Sequence, residues 1–350
     1  MTTILHCSDI HLSVSEEEYS FDVLREILNA ALNVDILLFT GDIFDTFTDA
    51  EELRSSFRKE LSRLNCISIL IPGNHESLKA NNRKLSSLDF GEVIIAEEKP
   101  FGLHTFDSLE ILTIPHNTNY RNYLEWKVPV KNRDFRICMA HGIVSGITYT
   151  GPDEDGGAVI DSELFRRFNI DYAALGHIHT PVIDKQNNIY YPGSARIWRK
   201  GETGPRFFNL IEIDKEIKIN QVPITTAGQY REYSLLLNLK GEAPDISKIN
   251  SDWSENDWID INLSGIVEDE KTVSELDKAL TVKYSKLVRR LEINRENISV
   301  LEGISSQIIA KKFLEAWKNR EPDNTQSRDI WLKSREIALN KIKTILTAKK

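Results

Sequence analysis

The sequence predicts an α/β body, followed by a smaller α+β module and a helical terminal region. Three observations carry this. Over roughly the first 225 residues, short apolar runs alternate with amphipathic helical stretches, as in α/β architectures. Several of those runs end abruptly in clusters of Asp, His, Asn and Gly. Near residue 228 the texture changes to longer alternating segments and then to helical periodicity.

The strand candidates in the body are residues 3–7, 35–40, 67–71, 109–114, 136–140, 172–175, 189–191 and 207–213. Phe21, Leu24 and Leu28 mark one amphipathic helix, and Leu53, Phe57, Leu61 and Leu64 a second. Beyond the body, residues 233–239 and 258–263 look like strands, 273–282 like a helix, and 287–293 like a further strand. Past Asn297 the pattern reads as helical. Ile309, Phe313 and Trp317 share one stripe, and Leu332, Leu339, Ile342 and Leu346 another, with a break at 321–324. The expected domains are therefore 1–228, 229–298 and 299–350.

The polar clusters carry the chemistry. Asp9-Ile10-His11 follows the first strand, and alternation along an extended segment would put both side chains on one face. Gly41-Asp42-Ile43-Phe44-Asp45 follows the second, with Gly41 allowing a tight exit. A carboxylate such as Asp42 has two oxygens and can bridge two cations, while Asp45 could orient a neighbour or cap the next turn. Gly73-Asn74-His75-Glu76 offers a carbonyl oxygen in Asn74 and a proton donor in His75. His141, and then His177 and His179, end two more strands. Each block alone is weak as a motif. Together they hold five of the eight histidines, each block after an apolar strand. Ligands of open α/β sheets bind at the carboxyl ends of strands, so the blocks converge on one rim. His6 and His104 read as structural, and His116 as a neighbour of the site.

Two divalent ions would outweigh the two carboxylates and a bridging hydroxide, leaving a site that favours a phosphate anion. Such a pair lowers the pKa of water toward ~7 and stabilises an in-line displacement. His, Asp and Asn without thiolates suit Mn, Fe or Zn better than Ca, and Mn2+ is the expected pair.

Composition limits the class. The 350 residues are 41% apolar and 28% charged, ordinary for a soluble protein. There is no bilayer-length apolar run and no signal-peptide pattern, and three scattered cysteines argue against a disulfide framework. A cytoplasmic protein with buried thiols and no membrane association is expected. The net charge is −9, but residues 271–350 carry 18 Lys and Arg against 10 Asp and Glu. The acidic body suits cations, and the basic tail suits nucleic acid or an acidic protein partner.

The ordered blocks, from Asp9-x-His11 to Gly176-His177-x-His179, resemble the signature of the calcineurin-like metallophosphoesterase superfamily over about residues 1–215. The resemblance implies a two-sheet β-sandwich flanked by helices. It places one metal on Asp9, His11, Asp42 and His179, and the other on Asp42, Asn74, His141 and His177. His75 would be the transition-state acid. Within the superfamily the chain is most similar to the Mre11/SbcD-type DNA-repair nucleases. The Cys7–Leu12 run, Gly151-Pro152 and Tyr191-Pro192-Gly193-Ser194 carry that similarity, and Asp45 matches the bacterial form of its motif. It implies DNA as substrate for exo- or endonuclease cleavage, a capping second domain, and terminal helices that bind a Rad50/SbcC-type coiled-coil ATPase. A homodimer is compatible with it. The competing readings are a phosphoesterase acting on a small molecule or protein, and a scaffold subunit with an idle site.

Overall fold

The computed structural model describes residues 1–78, 83–116, 118–149, 157–237, 241, 252–267, 270–300, 308–320, 322 and 325–347. They form two compact units, Met1–Gln229 and Tyr230–Lys350.

The first unit is a sandwich of two six-stranded sheets. One sheet has the order β14-β13-β1-β2-β3-β4: Ile217–Pro223, Phe207–Ile213, Thr2–Cys7, Ile36–Thr40, Ile67–Ile71 and Val93–Ile95. The other has the order β11-β12-β10-β7-β6-β5: Val182–Asp184, Ile189–Tyr191, Tyr172–Gly176, Phe135–His141, Leu109–Ile114 and Gly102–Thr105. A short pair, β8 (Ile143–Val144) and β9 (Val159–Ile160), lies apart from both. The strands β1, β2, β3 and β4 run parallel, as do β6, β7, β10 and β12.

Central strands buried on both faces explain the unbroken apolar runs. Between the sheets lie Ile4, Leu38, Ile69 and Ile71 from one side and Ile111, Ile137, Met139 and Tyr172 from the other. The opposite face of the first sheet packs against α1 (Glu17–Ala31) and α2 (Phe47–Leu61) through Leu5, Cys7, Leu24, Leu28, Phe39 and Phe57, and the short α3 (Asn74–Leu78) follows β3. Each such side chain contributes about 1.5–3 kcal/mol by leaving water. The opposite face of the second sheet is covered by Tyr120, Phe165, Phe168 and their neighbours, some from α4 (Glu163–Arg167). The architecture is the expected two-sheet α/β sandwich with helices outside. The strands expected in this unit all form, with ends shifted by at most a residue, and the structure adds β4, β5, β8, β9, β11 and β14. Cys7 and Cys138 are buried free thiols, but Cys66 is only half-buried, because it sits in the turn before β3.

The second unit holds a parallel sheet, β15-β16-β17 (Tyr230–Leu237, Trp258–Val267, Arg290–Val300), with α5 (Glu270–Tyr284) crossing between its last two strands. Leu237, Ile259, Ile261, Leu263 and Val267 pack there with Val273, Leu280 and Tyr284. The helical expectation beyond Asn297 fails for the first residues. Ile298 and Val300 extend β17, pair with β16 and pack on the sheet's core, so β-branched alternation wins over helical periodicity. Helices α6 (Ile308–Lys318) and α7 (Thr325–Thr347) follow, and Trp317 stacks on Trp331 between them at 5.9 Å. Gly151-Pro152 and residues 321, 323 and 324 of the expected break lie outside the described residues. Among the described residues no helix is long and apolar enough to cross a membrane.

Candidate metal centre

The polar clusters leave the carboxyl ends of β1, β2 and β3 in one sheet and of β7 and β10 in the other. The backbone there is unusual. Asp9, His11, Asp42 and His177 have φ of 52°, 50°, 51° and 95°, in the left-handed region. The expectation that Asp9 and His11 share a face of an extended segment is therefore wrong. Left-handed turns aim these side chains, at a cost of order 1–3 kcal/mol per residue that the surroundings must hold. Backbone bonds from Asp9 N to Gly41 O (3.1 Å) and from His11 N to Asp42 O (3.0 Å) lock the two loops together. Two glycines give the room. A Cβ on Gly41 would fall 2.3 Å from His141 Nδ1, and one on Gly73 would fall 2.1 Å from Asp42 Oδ1.

Two buried donor groups form. Asp9, His11 and His179 bring ligand atoms within 4.8 Å of one another, and so do Asp42, His141 and His177. In the first, His11 Nε2 lies 3.2 Å from His179 Nε2, and Asp9 Oδ1 lies 3.7 Å from the latter. In the second, Asn74 Oδ1 sits 2.9 Å from His141 Nε2 and 3.0 Å from His177 Nδ1, and Asp42 Oδ2 sits 3.2 Å from His141 Nε2. A third group, His11, Asp45 and His75, adjoins the first. All eight residues expected at the metals or as the acid thus lie at this rim, with Asp45 beside them.

The donors fit divalent cations. His141 Nδ1 is 2.7 Å from the Thr40 carbonyl, which can only accept, so Nδ1 carries a proton. Nε2 is then the atom that faces the oxygens of Asp42 and Asn74, and without its own proton it presents a lone pair to them. Acceptors facing acceptors in a buried site require positive charge between them. The buried atoms His11 Nδ1 and His177 Nε2 have no hydrogen-bond partner among the described residues. Mixed imidazole, carboxylate and amide oxygens are the donors preferred by Mn, Fe and Zn.

The electrostatics show the same demand. Burial opposes charge on His141, but Asp42 and Asp9 outweigh it and raise its pKa to about 9. Burial likewise opposes charge on His179, yet Glu202 and Asp9 raise it to about 10. Burial alone would push the carboxyls up, but the imidazoles around them hold Asp9 and Asp42 below the usual carboxylate range. Burial pulls His11 down to about 4 and His177 to about 3. The cluster keeps its carboxylates ionised and gathers protons around them, and a cation binding there would displace those protons.

A family profile described as calcineurin-like phosphoesterase matches residues 2–181. The chain belongs to that family. Among curated proteins, it is 28% identical to the DNA double-strand break repair protein Mre11 of Saccharolobus solfataricus, covering 79% of this chain and 77% of that one. The Mre11 protein of Sulfurisphaera tokodaii is 24% identical, over 94% of this chain and 82% of its own. The metallophosphoesterase YhaO of Bacillus subtilis is also 24% identical, over 60% of this chain and 57% of its own.

Around this calcineurin-like centre the structure adds residues that the motifs did not assign. Glu76 is buried and accepts from four backbone amides: Asp42, Ile43, Phe44 and Gly73, at 2.6–3.0 Å. It ties the Asp42 loop to the Asn74 loop, while burial and the charge of Asp42 raise it to about 7. The cap of α2 is Thr46, whose side chain accepts from Asp49 N, so Asp45 is free to face the site. Its Oδ1 accepts from Trp198 Nε1 at 2.9 Å and lies 3.4 Å from His75 Nδ1. Its carbonyl accepts from His75 Nδ1 at 2.7 Å. Arg196 is buried and donates to the carbonyls of Ile10 and His11, fixing the Asp9 loop from behind. His116 borders the site through the His141 carbonyl at 3.3 Å. His6 bonds Tyr172 and Thr40, both at 2.9 Å, a structural role between the sheets. Trp198 and Arg196 follow Tyr191-Pro192-Gly193-Ser194 in a run with no local metal-ligand spacing, so only three-dimensional proximity reveals them.

Proposed function

We propose that this chain is a two-metal nuclease that hydrolyses DNA phosphodiesters, with Mn2+ as the working ion. The observation that carries this is the pair of adjacent buried donor groups with His75 beside them. One ion is assigned to Asp9, His11, Asp42 and His179, and the other to Asp42, Asn74, His141 and His177, with Asp42 shared. When bound, such ions supply Lewis acidity for the phosphate and an acidified water for in-line attack.

The chain's own residues do the rest. His75 Nδ1 donates to the Asp45 carbonyl, which leaves Nε2 as the atom able to give a proton to a phosphate or leaving oxygen. Asp45 orients that ring and Trp198 together. Trp198 walls one side of the site, packed on the rings of His11 and His75. The similarity to two Mre11 proteins over most of the chain supports DNA as the substrate and double-strand break repair as the setting. Residues 229–298 are assigned as a small domain that touches DNA. The basic region 299–350 is assigned to a Rad50/SbcC-type coiled-coil ATPase, and the protein to the cytoplasm.

The test is the purified protein with Mn2+, assayed in parallel on linear duplex DNA, cyclic nucleotides and an aryl phosphodiester. DNA cleavage that a chelator abolishes is the expected result. Hydrolysis of the small substrates alone would make it a small-molecule phosphodiesterase. Two bound ions with no turnover on any substrate would leave a scaffold with an idle site.

A further inference from the structure

We propose that Glu202 is a positioning residue for His179, holding that imidazole with its Nε2 toward the ion shared with Asp9 and His11. This rests on the two-metal reading above. Glu202 lies outside the matched family region 2–181 and 23 residues beyond His179, where no ligand motif points to it.

The geometry is specific. Glu202 is 3% exposed, and an interior carboxylate survives only if its oxygens are met. One oxygen takes the proton of His179 Nδ1. The other accepts from the backbone amides of Trp198 (2.8 Å) and Arg199 (3.3 Å). Behind them, Arg206 donates to the carbonyls of Glu202 (3.0 Å) and His179 (3.3 Å), so both ends of the pair share one anchor. Because the carboxylate accepts at Nδ1, Nε2 is the nitrogen left to offer a lone pair once a cation displaces its proton. That atom faces His11 Nε2 at 3.2 Å and Asp9 Oδ1 at 3.7 Å. A carboxylate behind a metal-bound imidazole fixes its tautomer and rotation and raises its basicity. Losing one typically costs ~10–100-fold in metal affinity. Through its second oxygen Glu202 also fastens the segment that carries Trp198 against His11.

A purely structural role would be confined to the Trp198–Arg199 turn and would leave metal affinity untouched. The test is calorimetric titration of Mn2+ into the metal-free full-length chain, as wild type, Glu202→Gln and Glu202→Ala, with thermal melts of each. Wild type is expected to take up two ions. Glu202→Gln keeps the side-chain shape and one acceptor, for Nδ1 but not also for the Trp198 and Arg199 amides, so it should fold with a somewhat lower melting temperature and weaken one of the two binding steps by about 10-fold. Glu202→Ala should weaken the same step by up to ~100-fold, with the other step unchanged. Electron paramagnetic resonance at substoichiometric Mn2+ should then shift from a coupled pair toward an isolated ion in the variants. Two steps of wild-type affinity in folded Glu202→Gln would overturn the proposal. Equal weakening of both steps with a lowered melting temperature would overturn it as well. A wild-type chain that binds fewer than two ions would instead remove the two-metal reading on which it stands.

Discussion

The indole of Trp198 lies nearly flat on the imidazole of His11, with ring centroids 4.3 Å apart and planes 14° from parallel. The same indole meets His75 edge-on at 5.0 Å and His179 at 5.6 Å, and its Nε1 donates to Asp45 Oδ1 at 2.9 Å. One side chain thus braces two expected ligands, the expected acid and the carboxylate that orients it. Trp198→Phe should keep the stack and lose the Nε1 bond and part of the contact. A modest fall in kcat, about 2–10-fold, is expected from one hydrogen bond to a partly exposed carboxylate and the lost ring area. Trp198→Ala frees all three rings, and small misplacements near reacting groups cost up to ~100-fold. Steady-state turnover of an aryl phosphodiester at saturating Mn2+ measures both. Wild-type rates in Trp198→Ala would show that the indole is only a wall.

His75→Ala should lower turnover by about 100- to 10,000-fold, the range for removing a general acid. Metal content should stay at two ions, because neither donor group needs this imidazole. Metal analysis on the same sample used for the cleavage assay separates the two effects. A variant that loses an ion would make His75 a ligand and move the proton-donor role elsewhere.

Much of the centre could be read from strand ends. Asp9, Asp42, Asn74, His141 and His177 each follow an apolar run, and parallel sheets bring such ends to one rim. What the sequence hides is how the side chains are aimed. Asp9-x-His11 looks like an alternating pair, yet both residues are left-handed, and that conformation depends on backbone bonds to a loop some 30 residues away. Glu76 stands inside its block with no role legible there, and Trp198 and Glu202 were hidden altogether. They act through backbone amides, ring faces or a ligand's far nitrogen, which leave no spacing rule. The strand Arg290–Val300 ran past its expected end for the same kind of reason. Its pairing with β16, a tertiary contact, overrides the helical reading of the residues past Asn297.

Ile330 and Ile337 stand 66% and 68% exposed on α7, two turns apart on one side of the helix. Apolar side chains repeated at that spacing on a basic helix are suited to a helical partner. Replacing both with Asp should abolish capture of the proposed coiled-coil ATPase partner by the purified protein. Aryl phosphodiester turnover with Mn2+ should remain unchanged, since neither residue belongs to the donor groups. Retained capture by a folded double variant would move the partner's surface off α7.

Glu26 on α1 offers a pH test away from the metals. Its Oε1 accepts from Thr225 N and Oγ1, both at 2.9 Å, and its Oε2 from Thr226 N (2.8 Å) and Oγ1 (2.7 Å). These four bonds fasten the segment after β14 to α1. Burial pushes the carboxyl up, but the bonds from Thr226 and Thr225 outweigh it and hold the pKa below its ordinary value. A depressed carboxyl stabilises the fold fully above its unfolded pKa, near 4.3, and loses that contribution as pH falls toward the folded value. Glu26→Gln cannot accept at both oxygens, so it should be less stable at pH 7. About 1 kcal/mol is expected, since charge-assisted bonds at a partly exposed site are screened by water. The gap between wild type and variant should hold from pH 7 to about 5 and shrink below ~4.3 as the wild-type carboxyl takes up its proton. Urea unfolding of both proteins across that range, in chelator so that metal release does not intrude, reads the gap directly. A gap that stays constant or widens in acid would show that Glu26 is not ionised in these bonds.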